Sequence, residues 1–175
     1  MTLNILKIAV IMLALAVSAA CTKDPPATPE EPAANITMTT QASKVNLGLQ
    51  MGLGTGSITI DWGDGEGSKK YVPSYTSSCA YLIVDHYYSN TSEHTITITG
   101  DSITEFGCAK NQLTALNLSQ NPTLTHLYCS LNQLTTLDVS KNIALQELYC
   151  SHNPLTTLDV SICLFFQNPQ ITVTC

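Results

Sequence analysis

Glu105, His126 and Glu147 follow one another at intervals of 21 residues, and two places after each stand Gly107, Tyr128 and Tyr149. If that interval brings them side by side, three kinds of chemistry come into view. Two carboxylates flanking a glycosidic bond can act as acid and base, or as acid and nucleophile. A histidine between acids can hold a proton near neutral pH, which alone is a poor reason to infer catalysis. Two tyrosines beside a histidine make an amphipathic patch suited to protein or sugar contacts, and the same residues would also serve as a plain solvated face covering the edge of a core. Glu105 and Glu147 would lie two rungs apart, at about 9.6 Å by doubling a strand spacing of about 4.8 Å. Serines, histidines and aspartates scattered through the chain leave a triad open. No Gly-x-Ser-x-Gly elbow, His-Glu-x-x-His pair or glycine-rich phosphate loop is present, so the expectation is binding without turnover and without a cofactor.

The elements that must position these residues announce themselves through three cysteines. Cys108, Cys129 and Cys150 share the 21-residue interval, and each opens the phrase Cys-x-x-Asn-x-Leu-Thr-x-Leu. Self-similarity at such a period marks a solenoid. Apolar residues at alternate positions of a short strand point into a narrow core, and stacking continues that core from turn to turn. Asn111, Asn132 and Asn153 are expected to turn inward where the chain leaves the strand, their amides satisfying backbone groups that a bend leaves unpaired. Asn121 and Asn142 form a second, offset series. With no period of 3.6 in the repeats, the opposite limb reads as extended or irregular chain. Asp138 and Asp159 would stack like with like on that limb, exposed and serving as turn or strand-end acceptors.

The cysteine ladder reads as buried free thiols acting as small apolar residues. Neighbouring rungs lie within disulfide reach, but parallel side chains point the same way and three thiols cannot all pair. Zinc would need four ligands converging on a point, whereas a ladder spreads them along a line. The pairing of Cys79, Cys163 and Cys175 is open at this level, and a free Cys175 could link two molecules. Residues 162–175 depart from the repeat and read as an irregular cap, in which Leu164-Phe-Phe166 and Ile171-Thr-Val173 would form a cap strand or equally mark a truncated array with an exposed edge.

Seven lysines, no arginine and thirteen acids give a net charge of -6. A nucleic-acid footprint would be basic, so DNA and RNA are excluded as expected partners. Residues 1–20 carry a lysine and then the apolar run Ile8 to Ala20, too short to remain as a membrane span and suited to a cleaved signal peptide. The Ser18-Ala-Ala-Cys21 junction resembles a bacterial lipoprotein box, with Ser18 where Leu is usual. That resemblance implies lipidation of Cys21 and a partner in the membrane itself, on the bacterial cell envelope; an acidic residue soon after Cys21 resembles surface-export signals of some Gram-negative lipoproteins, which implies the outer membrane and an outward-facing chain. Residues 21–35, rich in proline and acid, would form an extended stalk.

Between 36 and 100 the alternating runs Val45 to Met51, Ser57 to Trp62 and His94 to Thr99 read as half-buried strands. Trp62-Gly-Asp-Gly-Glu-Gly67 reads as a tight turn whose glycines take positive φ. Asp61, Asp64 and Glu66 invite a calcium reading but lack a full oxygen set, and turn chemistry explains them better. The phrase Ile60-Asp-Trp-Gly-Asp-Gly65, followed by His86-Tyr-Tyr88 and the strand Thr95 to Thr99, resembles the polycystic-kidney-disease type of immunoglobulin-like β-sandwich. The turns from 101 to 161 match L-x-x-L-x-L-x-x-N-x-L and resemble leucine-rich repeats. Together the modules resemble bacterial cell-surface leucine-rich-repeat lipoproteins of internalin style. The resemblance implies a mainly β chain, with a short solenoid of about three turns behind an Ig-like module. It also implies adhesion or recognition of a protein or glycan ligand. Strand geometry places Glu105, His126, Tyr128, Glu147 and Tyr149 outward as the candidate ligand face. A carbohydrate-processing role and a purely structural spacer are the alternatives.

Overall fold

In the segment Lys44–Met51 every second side chain is apolar and buried, as a strand with one face on a core requires. The computed structural model describes residues 34–52, 56–75, 80–100, 103–160 and 172–175, all within one unit, Glu31–Cys175. The proposed signal peptide, Cys21, most of the stalk, Cys79, Cys163 and Leu164-Phe-Phe166 lie outside them. Among the described residues there are strands and turns and no helix. The first half contributes β1 (Ala34–Thr40), β2 (Lys44–Met51), β3 (Ile58–Asp61), β4 (Lys69–Tyr71), β5 (Ser74–Tyr75), β6 (Ala80–Tyr87) and β7 (His94–Gly100). The second contributes β8 (Ile103–Gly107), β9 (Leu113–Asn117), β10 (His126–Tyr128), β11 (Thr136–Asp138), β12 (Glu147–Tyr149), β13 (Thr157–Asp159) and β14 (Thr172–Thr174).

A five-stranded sheet runs β4-β3-β7-β1-β9, a seven-stranded sheet runs β14-β12-β10-β8-β2-β6-β5, and β11 pairs with β13 alone. The larger sheet is parallel from β14 to β8 and antiparallel from β8 to β5. Both large sheets therefore cross residue 100, because β8 pairs with β2 and β9 pairs with β1. Ile36 and Met38 of β1, Leu47 and Leu49 of β2 and Ile96 and Ile98 of β7 share one apolar cluster with Phe106, Leu127 and Leu148. Burying each such side chain is worth about 1.5–3 kcal/mol, so the two halves hold each other through a common core. β1 begins at Ala34, and its backbone pairs with Gly100 before the stalk's expected end.

The 21-residue interval appears as backbone register. Glu105, Phe106 and Gly107 pair with His126, Leu127 and Tyr128, which pair with Glu147, Leu148 and Tyr149. The ladder continues through the cysteines, Cys108 N–H donating to Tyr128 O and Cys129 N–H to Tyr149 O, both at 2.8 Å. Strands of three residues leave many backbone groups at the bends, and the asparagines meet them. Asn132 Oδ1 accepts from the backbone N–H of Asn111 (2.9 Å) and Leu113 (3.1 Å), while its Nδ2 donates to Cys108 O and Cys129 O. Asn153 makes the corresponding bonds to Leu134 N–H, Cys129 O and Cys150 O. Asn111 has no such turn above it. Its amide instead grips β2, accepting from Asn46 N–H at 3.0 Å and donating to Asn46 O at 2.8 Å.

The bend has a cost that the sequence conceals. Lys110, Leu131 and His152, each just before one of these asparagines, take the left-handed conformation with φ of 61°, 60° and 58°. Such backbone disfavours side chains by about 1–2 kcal/mol per residue, which the buried amide bonds offset. On the other limb Asn142 Nδ2 donates to Leu118 O and Asn121 O, whereas both amide atoms of buried Asn121 lack a partner. Asp138 pairs in register with Asp159, is exposed, and accepts from Ser140 N–H at 2.8 Å.

One expectation about the cysteines is corrected. Cys108 and Cys129 are buried free thiols, and burial pushes the Cys129 thiol up to about 12. Cys150 is instead joined to Cys175 by a disulfide across a Cα–Cα distance of 4.6 Å. The reason is a further rung. β14 pairs in parallel with β12, Val173 opposite Leu148, so Cys175 stands next in the ladder although 25 residues separate it from Cys150. The same pairing removes the free terminal thiol that could have linked two molecules.

Candidate binding face

Because Phe106, Leu127 and Leu148 point into the core, the residues on either side of them point out, and register assembles them into two rows. The first row runs Gln50, Glu105, His126, Glu147, Thr172, and the second runs Gly48, Gly107, Tyr128, Tyr149, Thr174. All five candidate residues, Glu105, His126, Tyr128, Glu147 and Tyr149, thus meet on one face. His126 lies between the acids, its Nδ1 3.9 Å from Glu105 and its Nε2 3.8 Å from Glu147. Thr125 spends its hydroxyl proton on Thr104 O at 2.8 Å, so at 2.9 Å it can only accept from His126 Nδ1–H. That bond fixes the tautomer and leaves Nε2 toward Glu147. The Tyr128 and Tyr149 rings stack with centroids 5.1 Å apart and planes 14° from parallel. Burial first, and then Glu105 and Glu147, raise the Tyr128 hydroxyl above its ordinary pKa; Glu147 does so for Tyr149.

Sequence reasoning missed the contribution of β2 and β6 to this face. The Gln50 amide faces both Glu105 oxygens at 2.9 and 3.1 Å, a contact its nitrogen makes as donor. Tyr81 of β6, about half exposed, lies with its hydroxyl over Gly48. Alternation in β2 puts Gln50 and Gly48 on the outward side, but nothing in the residues says that β2 is the neighbour of β8.

A second constellation sits on the turn after β3. Trp62 stacks on His86 (4.5 Å, 7°), His86 meets the edge of Tyr88 (4.6 Å), and Tyr88 stacks on His94 (3.9 Å, 11°). Tyr88 OH donates to Trp62 O at 2.7 Å. These rings come from segments of both large sheets. A cavity of about 390 Å³ beside them is lined by Asp64, Glu66, Lys69, His86 and Tyr88 among others. Asp64 Oδ2 lies 3.0 Å from His86 Nε2 in electrostatic contact without hydrogen-bond geometry. Burial still wins over that carboxylate, and the histidine's pKa is lowered. Asp61 and Asp64 each accept the backbone N–H two residues on, at 2.9 Å, so their carboxylates shape the turn. Among the described residues no three His, Cys, Asp or Glu converge as a metal would need.

No family model, no curated protein and no solved structure matches the chain.

Proposed function

We propose that residues 101–161 are a short leucine-rich-repeat type of stack carrying a recognition face, joined to an Ig-like β module. In this reading the chain is tethered to the outer membrane of a bacterial cell through lipid on Cys21. It binds a protein or glycan ligand without turning it over. The observation that supports it best is the pair of outward rows, in which a tyrosine stack adjoins a Glu–His–Glu line on a rigid sheet. Tyrosines placed this way offer large, pre-ordered contact area, and carboxylates beside them give orientation. A hydrolytic reading draws on the same two glutamates. His126 stands between them, however, so they do not flank an open gap where a glycosidic bond would sit.

The test is an array of glycans and extracellular-matrix proteins probed with the full-length chain, followed by Tyr128→Ala and Tyr149→Ala. Retention of a ligand that both variants weaken about tenfold or more, without loss of fold, is the expected result. Released product would move the reading toward an enzyme. Ligand bound equally well by both variants would remove this face from the account.

A further inference from the structure

Within the two outward rows, one position has no side chain where its neighbours have large ones. Gly107 corresponds to Tyr128 and Tyr149, and next to it in register stands Gly48. Glycine weakens a strand and is expected where packing, backbone conformation or an approaching group demands it. Packing does not demand Gly107, since an added Cβ would meet only the Gly48 backbone at 3.6–3.9 Å, and its φ is not left-handed. Gly48 is different, because Tyr81 covers it and a Cβ there would come within 2.9 Å of the hydroxyl. The result is a slot. Tyr149 takes one face of the Tyr128 ring, so the other face looks across Gly107 toward Tyr81. β10 and β2 stand two strand spacings apart, roughly 10 Å, and the half-thickness of the Tyr128 ring on one side with the Tyr81 hydroxyl on the other leaves room for one flat group.

Charge decides which flat group. Glu105 stands two residues before Gly107 on the same strand and Glu147 two rungs further along, and neither row contains a lysine. The carboxylate of Glu105 has acceptor capacity beyond what Gln50 uses. We propose that Tyr128, the open floor at Gly107, and the Glu105 carboxylate receive the guanidinium of an arginine side chain presented by a partner protein. Guanidinium is planar, stacks on tyrosine and pairs with carboxylate in a fixed fork, so it uses all three features together. A sugar would stack on the ring and donate hydroxyl hydrogen bonds to the carboxylate but bring it no counter-charge, and a lysine ammonium would bring charge without flat contact. The inference rests on the recognition-face reading above and names its ligand chemistry.

The experiment is an NMR titration of the full-length chain with a capped Gly-Arg-Gly peptide, its citrulline counterpart, a capped Gly-Lys-Gly peptide and chitotriose. The arginine peptide is expected to move the Gly107, Gly48 and Tyr128 signals, and to bind at least about tenfold tighter than the neutral citrulline or the lysine peptide. Gly107→Leu should fill the slot and cost about tenfold or more in affinity while its melting temperature matches the parent; Glu105→Gln should act in the same direction. Equal binding of the citrulline or lysine peptide would overturn the assignment, as would undiminished affinity in a folded Gly107→Leu. Chitotriose moving these signals while the arginine peptide does not would overturn the guanidinium and keep the recognition face. An array ligand indifferent to Tyr128 and Tyr149 would bring down the reading beneath both.

Discussion

Residues 34–100 close their backbone bonds through antiparallel strands of up to eight residues, whereas residues 103–160 mostly use strands of three and hand the remainder to asparagine amides. In the first region stability is spread over apolar cross-strand pairs and fixed by the Trp62, His86, Tyr88 and His94 rings. In the second it is concentrated in single amides, Asn132 serving four backbone groups, Asn153 three and Asn111 two. A change in the first region should therefore be severe only at special points. The second should be vulnerable wherever an amide is.

That contrast can be broken most forcefully at Gly63. Its φ is 70°, and an added Cβ would overlap the carbonyl oxygen of Thr95. Gly63→Ala should cost about 3 kcal/mol or more, read as a fall of many degrees in melting temperature. A fall no larger than that of Gly65→Ala, where a Cβ meets nothing, would show that the ring cluster is not a fixed point.

Next in size is a pair of asparagine variants. Asn132→Ala orphans two buried N–H groups and the Cys108 carbonyl, while Cys129 O keeps its bond from Asn153, an expected loss of about 2–3 kcal/mol by chemical denaturation. Asn121→Leu removes an amide whose atoms are buried without partners, and should be neutral or stabilising by up to about 1 kcal/mol. Equal losses in the two would mean that the ladder is held by packing alone.

The smallest expected effect concerns pH. Burial lowers the His86 pKa below 6.5, so on acidification the unfolded chain takes up this proton first and the folded form loses stability below that value. Melting temperature should drop by a few degrees from about pH 7 to about pH 5, and His86→Phe should flatten that slope. Asp64, which faces His86, acts in another window: its depressed pKa gives stability above 3.8 that is lost as pH falls further. An unchanged slope in His86→Phe would assign the acid sensitivity elsewhere.

The ladder's register, its outward pairs and the inward asparagines were legible because identical residues at a fixed offset can be aligned by eye. Strands β2, β3 and β7 were legible from alternation. β1 and β6 were not named: Thr40 is buried at an apolar position of β1, and Ala80-Tyr-Leu-Ile-Val84 offers a run in place of a period. The left-handed Lys110, Leu131 and His152 carry no glycine to betray them. Cys150 and Cys175 hid their partnership behind a spacing of 25. The neighbourhood of β2 and β8, which completes the face with Gln50, Gly48 and Tyr81, is a tertiary fact with no local signature.

The grip of Asn111 on Asn46 has a consequence for how such a molecule can change its reach. Each later amide asks only for the bend one step back, and the first asks only for a stretch of β2. Duplicating the 21 residues from Cys129 to Tyr149 would hand the newcomer an identical upstream host, leaving the root untouched. Length is thus a dial that evolution or an engineer can turn by copying, and a miscounted copy of 20 would jam it.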